Sequence, residues 1–212
     1  MKKRCSLILL LLMLLSVFSA TAQTDEWSSV FVSANLGGYF TAHDYFSKVY
    51  DSQFGFVFGG GLGIPLSCRI HLYTKVTYFS KSGVPWWTTY NYQGRIDTRD
   101  GTADFKQWII NGGLQYAVSL SEDYKFLISG GATLTSVSEE QRSSDGAQDS
   151  SVNVAPLGLF GGIGLEREFK GSPFSMSAEV QFNFARDADF GNCGGLNLSL
   201  GVRYYFKDRQ KP

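Results

Sequence analysis

The run 196–206 alternates without a lapse. Leu196, Leu198, Leu200, Val202, Tyr204 and Phe206 interleave with Asn197, Ser199, Gly201, Arg203 and Tyr205. Period two is the geometry of a β-strand, whose successive side chains point to opposite faces. A helix cannot gather those apolar positions onto one stripe. The chain is thereby narrowed to strands with one apolar and one polar face, whose edges must be paired or covered. The same pattern, less strictly kept, recurs along the rest of the sequence.

Residues 1–22 predict a cleaved secretory signal peptide. Lys2, Lys3 and Arg4 give the positive start, Leu7 to Leu15 the apolar stretch, and Ala20-Thr21-Ala22 a small-residue cleavage site. The unbroken apolar run is short of the roughly 20 residues a spanning helix needs. Cys5 precedes it, too early for a lipid-anchored cysteine. The leader holds three of the 19 Lys and Arg and none of the 19 Asp and Glu, so the exported part carries a net charge of −3. It has no basic block, and no nucleic-acid partner is expected.

Eight strands are predicted: Val30–Phe40, Phe54–Ile64, Arg69–Lys81, Trp108–Val118, Tyr124–Val137, Ala155–Arg167, Phe174–Phe184 and Leu196–Phe206. The third, seventh and eighth are the sharpest. The second sets Phe54, Phe56, Phe58, Leu62 and Ile64 against Gly55, Gly59, Gly61 and Gly63. The connections alternate in length. Pro65–Cys68, Ser119–Asp123 and Glu168–Pro173 are tight, whereas Thr41–Gln53, Ser82–Gln107, Ser138–Val154 and Ala185–Gly195 are longer. Tight turns on one side and long loops on the other suit a transmembrane barrel with both termini in the periplasm.

Period two alone leaves open which face points outward. A soluble lipocalin-like barrel would turn its polar face to water. Here the polar faces are mostly Ser, Thr, Asn, Gln and Gly, such as Ser175, Ser177, Gln181 and Asn183, or Asn111, Gly113 and Gln115. Aromatics gather at strand ends (Trp27, Phe40, Trp108, Phe174, Tyr204, Phe206), where a membrane girdle would place them. The predicted fold is all-β, an eight-stranded antiparallel up-and-down transmembrane β-barrel over residues 23–206, with a short periplasmic tail at 207–212.

On this pattern the chain resembles the small outer-membrane β-barrel proteins of OmpA-like and OmpX-like type. It looks especially like the broad "outer membrane protein beta-barrel domain" family, which includes PorT-like members. The most specific element is the last strand. Ser199, Gly201, Tyr204 and Phe206 fit the polar-x-Gly-x-x-hydrophobic-x-hydrophobic signal that the barrel-assembly machinery reads in this class. The resemblance implies an outer-membrane location, lipid as the surrounding partner and the assembly machinery as a transient one. Only six residues follow Phe206, so no peptidoglycan-binding domain of OmpA type is expected.

An eight-stranded barrel has an interior just wide enough for side chains to fill. Arg69, His71, Tyr73, Lys75, Asn111, Gln115, Glu166, Glu179, Gln181, Asn183 and Arg203 are expected to face it. Pairing the last two strands through Ala185–Gly195 predicts Glu179 beside Gly201, with Arg203 its diagonal neighbour. The charged set Arg69, His71, Lys75, Glu166, Glu179 and Arg203 reads as an internal network that plugs the barrel, since a charge there must find a partner. The alternative is a narrow, gated ion path.

No enzymatic set emerges. His71 reads as a hydrogen-bonding group, and His43, Asp44 and Ser47 share a loop with nothing to fix their geometry. Cys68 and Cys193 fall at opposite ends of the barrel, beyond a disulfide's reach, and are expected to be free thiols. Glu139, Glu140, Asp145, Asp149, Asp187, Asp189 and Asn192 lack the regular spacing of a calcium loop. No metal or cofactor is expected. The most distinctive loop segment is Val84 to Tyr92. Its Trp86, Trp87, Tyr90 and Tyr92 suit stacking on an extracellular glycan or anchoring a protein, or a place in the outer aromatic girdle. The expected role is a non-enzymatic structural or surface-interaction protein. The alternatives are a narrow channel, an accessory subunit of a secretion or envelope complex, and a lipid A-modifying enzyme.

Overall fold

The computed structural model describes residues 29–43, 46–91, 94–144 and 149–206, and only the backbone of 86–91 and 94–99. Trp27 and the expected leader and tail lie outside them. Twelve strands and one helix follow in chain order: β1 (Phe31–Thr41), α1 (Phe46–Tyr50), β2 (Phe54–Pro65), β3 (Ile70–Gly83), β4 (Trp86–Asn91), β5 (Gly94–Arg99), β6 (Thr102–Ser119), β7 (Tyr124–Arg142), β8 (Ser150–Val154), β9 (Leu157–Glu168), β10 (Phe174–Asp187), β11 (Gly191–Asn192) and β12 (Gly195–Tyr205). Eight of them close a ring in the order β1, β2, β3, β6, β7, β9, β10, β12 and back to β1. Every contact in it is antiparallel. Closure leaves no unpaired edge, the condition for a sheet to sit in hydrocarbon.

The strands wind steeply. Following hydrogen-bonded partners from Thr77 leads through Gly59, Asn35, Gly201, Ser177, Glu166 and Lys125 to Ser119. The direct neighbour of Thr77 on β6 is Ile109, ten residues away from that end point. Such a stagger requires strongly tilted strands and fixes the width of the barrel.

The outward faces are apolar through the middle of the ring strands, with Thr74 on β3 a polar exception. Phe56 is 83% exposed, Leu36 70%, Leu159 67% and Leu200 66%, while the opposite face of the same strands is shut away. This is the reverse of a soluble barrel, and the lipocalin alternative falls with it. Tyr204, Phe174 and Phe206 rim the end that carries the tight turns, and Phe40, Phe54 and Trp108 rim the other.

Towards the loop end the alternation changes sense. On β6, Asp104 and Lys106 point outward while Ala103 and Phe105 are buried inside. On β3, Ser80 points out and Phe79 in; on β7, Ser136 and Ser138 lie outward of buried Val137. The barrel is thus lipid-facing below Trp108 and built like a soluble barrel above it.

Several boundaries differ from the sequence expectation. β3, β6 and β7 run beyond the apolar band, so the fourth predicted strand begins at Thr102 rather than Trp108, and the fifth ends at Arg142 rather than Val137. The connection Thr41–Gln53 contains α1. That helix ends at Tyr50 because Asp51 turns left-handed (φ 61°), a conformation aspartate tolerates at a helix C-terminus. β8 and β9 hold a common register on β7 and form one strand interrupted at Ala155-Pro156. Pro156 has no N–H to give, but its carbonyl still accepts from Thr135 N at 3.0 Å. In the last loop, Asp187 Oδ1 accepts from the N–H groups of Asp189 and Phe190, each at 3.0 Å, and Gly191 takes φ 88° to bring the chain back.

Candidate functional site

The lumen is filled in layers, each set by the inward parity of the strands. In its lower half lies a compact charged cluster. Arg203 on β12 is 1% exposed and occupies both terminal nitrogens of its guanidinium: Nη1 donates to Glu166 Oε2 (3.1 Å) and Gln115 Oε1 (2.9 Å), and Nη2 to Glu179 Oε1 (2.5 Å). Lys75, equally buried, donates from Nζ to Glu179 Oε2 and to Ser199 Oγ, both at 3.0 Å. Tyr205 OH donates to Glu166 Oε1 at 2.6 Å, Ser175 Oγ donates to the same oxygen, and Tyr73 OH reaches Glu179 Oε2 at 3.3 Å. The Arg203 guanidinium lies 4.5 Å over the Phe31 ring.

Two cations therefore meet two carboxylates, and hydroxyls and an amide take up other positions, while Arg203 Nε has no hydrogen-bond partner. A buried ion network holds when its charges balance and its carboxylates are well hydrogen-bonded. Because its members come from β3, β6, β9, β10 and β12, the cluster ties opposite walls together across the lumen.

Of the charged residues singled out in the sequence, Lys75, Glu166, Glu179 and Arg203 meet here. His71 sits at its edge, with Nε2 3.3 Å from the Ser29 carbonyl and its ring 5.5 Å from Phe31. Arg69 does not join: it precedes β3 in the turn at the barrel's lower mouth and is half-buried. The predicted register also needs correction. Glu179 stands opposite Ser199, and Gly201 faces Ser177, because β10 and β12 pair two residues further along than the loop boundaries suggested. Arg203 still reaches Glu179, since the strands are tilted and both side chains are long. A second pair escaped notice: Lys125 Nζ donates to Glu168 Oε1 at 2.5 Å, buried lower in the barrel. Tyr205, Ser175 and Ser199 were legible only as inward positions.

The loop end is closed differently, by an apolar cap. Tyr39, Val57, Phe79, Phe105, Ile109, Val137, Ala185 and Cys193 form its walls, and Phe46 and Tyr50 of α1 fold down into it. Phe46 meets Phe105 edge-on (4.9 Å, 86°) and stacks on Tyr50 (4.4 Å). Tyr50 OH donates to Glu139 Oε1 at 2.8 Å. Burial and the neighbouring Glu139 carboxylate hold that phenol far above its ordinary pKa, so it stays a donor at any working pH. No one signal in the sequence marked the cap, although Tyr39, Phe79 and Phe105 each stand at inward parity.

The remaining candidates are scattered. Trp86 and Tyr90 stand on β4 opposite Arg99 and Arg95 of β5, and Trp87 opposite Thr98. Their side chains, and Tyr92 altogether, lie outside the described residues, as do Asp44 and Asp145. His43 packs on Phe190 with ring centroids 4.6 Å apart. In the terminal strand Ser199 and Gly201 face the lumen, where Gly201 leaves no room for a Cβ against Asn35 Oδ1 and Ser177 Oγ. Tyr204 and Phe206 face outward.

Cys68, in the exposed turn before β3, and Cys193, buried in the cap, are both free. Burial pushes the Cys193 thiol up to about 11. In the folded protein at pH 8 a maleimide should therefore modify Cys68 and leave Cys193 intact until denaturation. Mass spectrometry with and without denaturant checks this as one adduct against two on a chain starting at Gln23.

A closed, tilted eight-stranded barrel with an apolar exterior and a filled polar lumen is the fold of the small outer-membrane β-barrels. Solved structures similar to the chain include OprG from Pseudomonas aeruginosa (TM-score 0.60, 12% identity, 85% of this chain and 97% of that one). Neisserial surface protein A is another (TM-score 0.54, 17% identity, 84% and 97%), as is a major outer membrane protein from Thermus thermophilus (TM-score 0.50, 12%, 84% and 98%). At these identities the likeness is one of fold. No family model matches the chain, and no curated protein matches it in sequence.

Proposed function

We propose that this is a non-enzymatic outer-membrane barrel, exported through a cleaved leader, whose interior is closed and whose loop-side extension is its working surface. The observation that carries the reading is the contrast between the two ends of the barrel. At one end the turns are as short as Leu66–Arg69. At the other, β3, β6 and β7 rise beyond the apolar band and carry the β4–β5 hairpin. Lumen side chains that hold one another across the barrel leave no lined path for a solute, and they tie the walls into a rigid base for those loops. Such a surface suits an extracellular glycan or protein, with Trp86, Trp87, Tyr90 and Tyr92 the residues to test first. The barrel-assembly machinery would meet the last strand through Ser199, Gly201, Tyr204 and Phe206.

Two measurements test this together. Protein from outer-membrane fractions should migrate differently boiled and unboiled, as a detergent-resistant barrel does. The same protein in planar bilayers should give no discrete conductance steps. Steps in the wild-type protein would replace this reading with the narrow channel. A soluble periplasmic protein without a mobility shift would refute the membrane assignment altogether.

A further inference from the structure

Between the charged cluster and the apolar cap lies a layer of lumen side chains of another kind. Asn111, Gln181 and Asn183 are each almost wholly buried and point inward, yet both amide atoms of each lack a protein partner. Thr77, Thr133 and Thr135 hold buried hydroxyls in the same condition, and Asn197 a buried carbonyl oxygen. Asn111 and Thr133 are 1% exposed and face each other across the β6–β7 pair. Gln181 and Asn197 are partners across β10 and β12. Their glycine neighbours Gly59, Gly131 and Gly162, also at inward parity, add no side chains to the space.

Buried amides and hydroxyls are expensive to leave unpaired, and proteins rarely leave several of them together. These seven share one level of the lumen, supply both donors and acceptors, and include no charge. We propose that this layer is a closed chamber for water and other small neutral hydrogen-bonding solutes, and that α1 is its door. The charged cluster is the floor. Opening the floor would separate ion pairs anchored on several strands. The door is a five-residue helix, far too short to be stable by itself. The contacts that hold it include its two rings, the Tyr50–Glu139 hydrogen bond and the bond from Val84 N to the Val49 carbonyl at 3.1 Å. It can lift without breaking any rung of the barrel, and local openings are drawn from weakly held segments of this kind.

The test places a thiol in the chamber. In a Cys68→Ser, Cys193→Ala background, Thr133→Cys is refolded in detergent and treated with methyl methanethiosulfonate, which is small and neutral. A negatively charged sulfonatoethyl analogue is run beside it. The neutral reagent should react slowly, and the charged one more slowly still. Adding Phe46→Ala should speed the neutral reaction by about tenfold or more, as expected when a buried ring no longer holds the closed state. Adding Glu179→Gln instead should not. Three outcomes overturn the proposal: no reaction until denaturation even with Phe46→Ala, equal rates for both reagents without it, or acceleration by Glu179→Gln alone. If Thr133→Cys does not give the heat-modifiable form, Asn197→Cys carries the same test.

Discussion

Arg203→Ala should destabilise the folded barrel by about 3–5 kcal/mol, the range for removing one partner of a buried ion network. The size follows from what is left behind. Glu179 keeps Lys75, but Glu166 loses its only cationic partner among the described hydrogen bonds and stays buried. Unfolding in urea, followed by tryptophan fluorescence after refolding in detergent, reads the effect. A second variant separates charge from packing. Arg203→Met with Glu166→Gln removes one charge of each sign and leaves Lys75 matched with Glu179, so it should recover much of the loss. A coupling near zero between the two sites would mean that the cluster is bathed in solvent. Arg203→Ala alone should still conduct no ions, because the cap above it is untouched.

Val180→Arg should cost about 2–4 kcal/mol, the penalty for a cation on the lipid face near mid-membrane. Val180 points outward on β10 between Ile163 of β9 and Leu198 of β12. Gln181→Arg, one residue along, turns its side chain into the lumen, where it finds unpaired amide oxygens and the Glu179 carboxylate two residues back. Its effect should be clearly smaller. The same urea titration compares the two, and equal losses would mean that the faces of β10 are wrongly assigned.

How much of this was legible in the sequence depends on where each residue sits relative to the lipid. Within the apolar band the outward positions of β3, β10 and β12 are apolar except for Thr74, so period two is nearly perfect there and both strands and faces could be read. Above the band that constraint disappears. Thr102–Gln107 reads as loop because Asp104 and Lys106 occupy outward positions, although Ala103 and Phe105 keep the alternation in its inverted sense. The members of the charged cluster were legible because a charge at inward parity has few alternatives in a narrow lumen. Their exact neighbours were not, because register depends on how the last loop closes. The Asp187 side-chain bonds and the left-handed Gly191 extend that hairpin by backbone geometry, which alternation does not record. The cap needed tertiary structure. Phe46 and Tyr50 enter the lumen from a loop, and no strand periodicity reaches them.

The change of facing on β6 has a mechanical consequence. Trp108 must stay in lipid and Lys106, two residues on, must stay out of it. At the opposite rim, Arg167 lies 5.6 Å from the Tyr124 ring centroid and 5.9 Å from that of Phe169, a charge among interfacial aromatics. The apolar height is thus bounded at both ends. A hydrogen-bonded cylinder also cannot shorten it by tilting one strand against the next. When the surrounding bilayer is thicker or thinner than that height, the lipid has to deform, at a fraction of a kcal/mol per Å of mismatch. Two such barrels side by side share one deformed rim instead of two. Membrane thickness alone can therefore draw copies of this protein together without any contact between their surfaces.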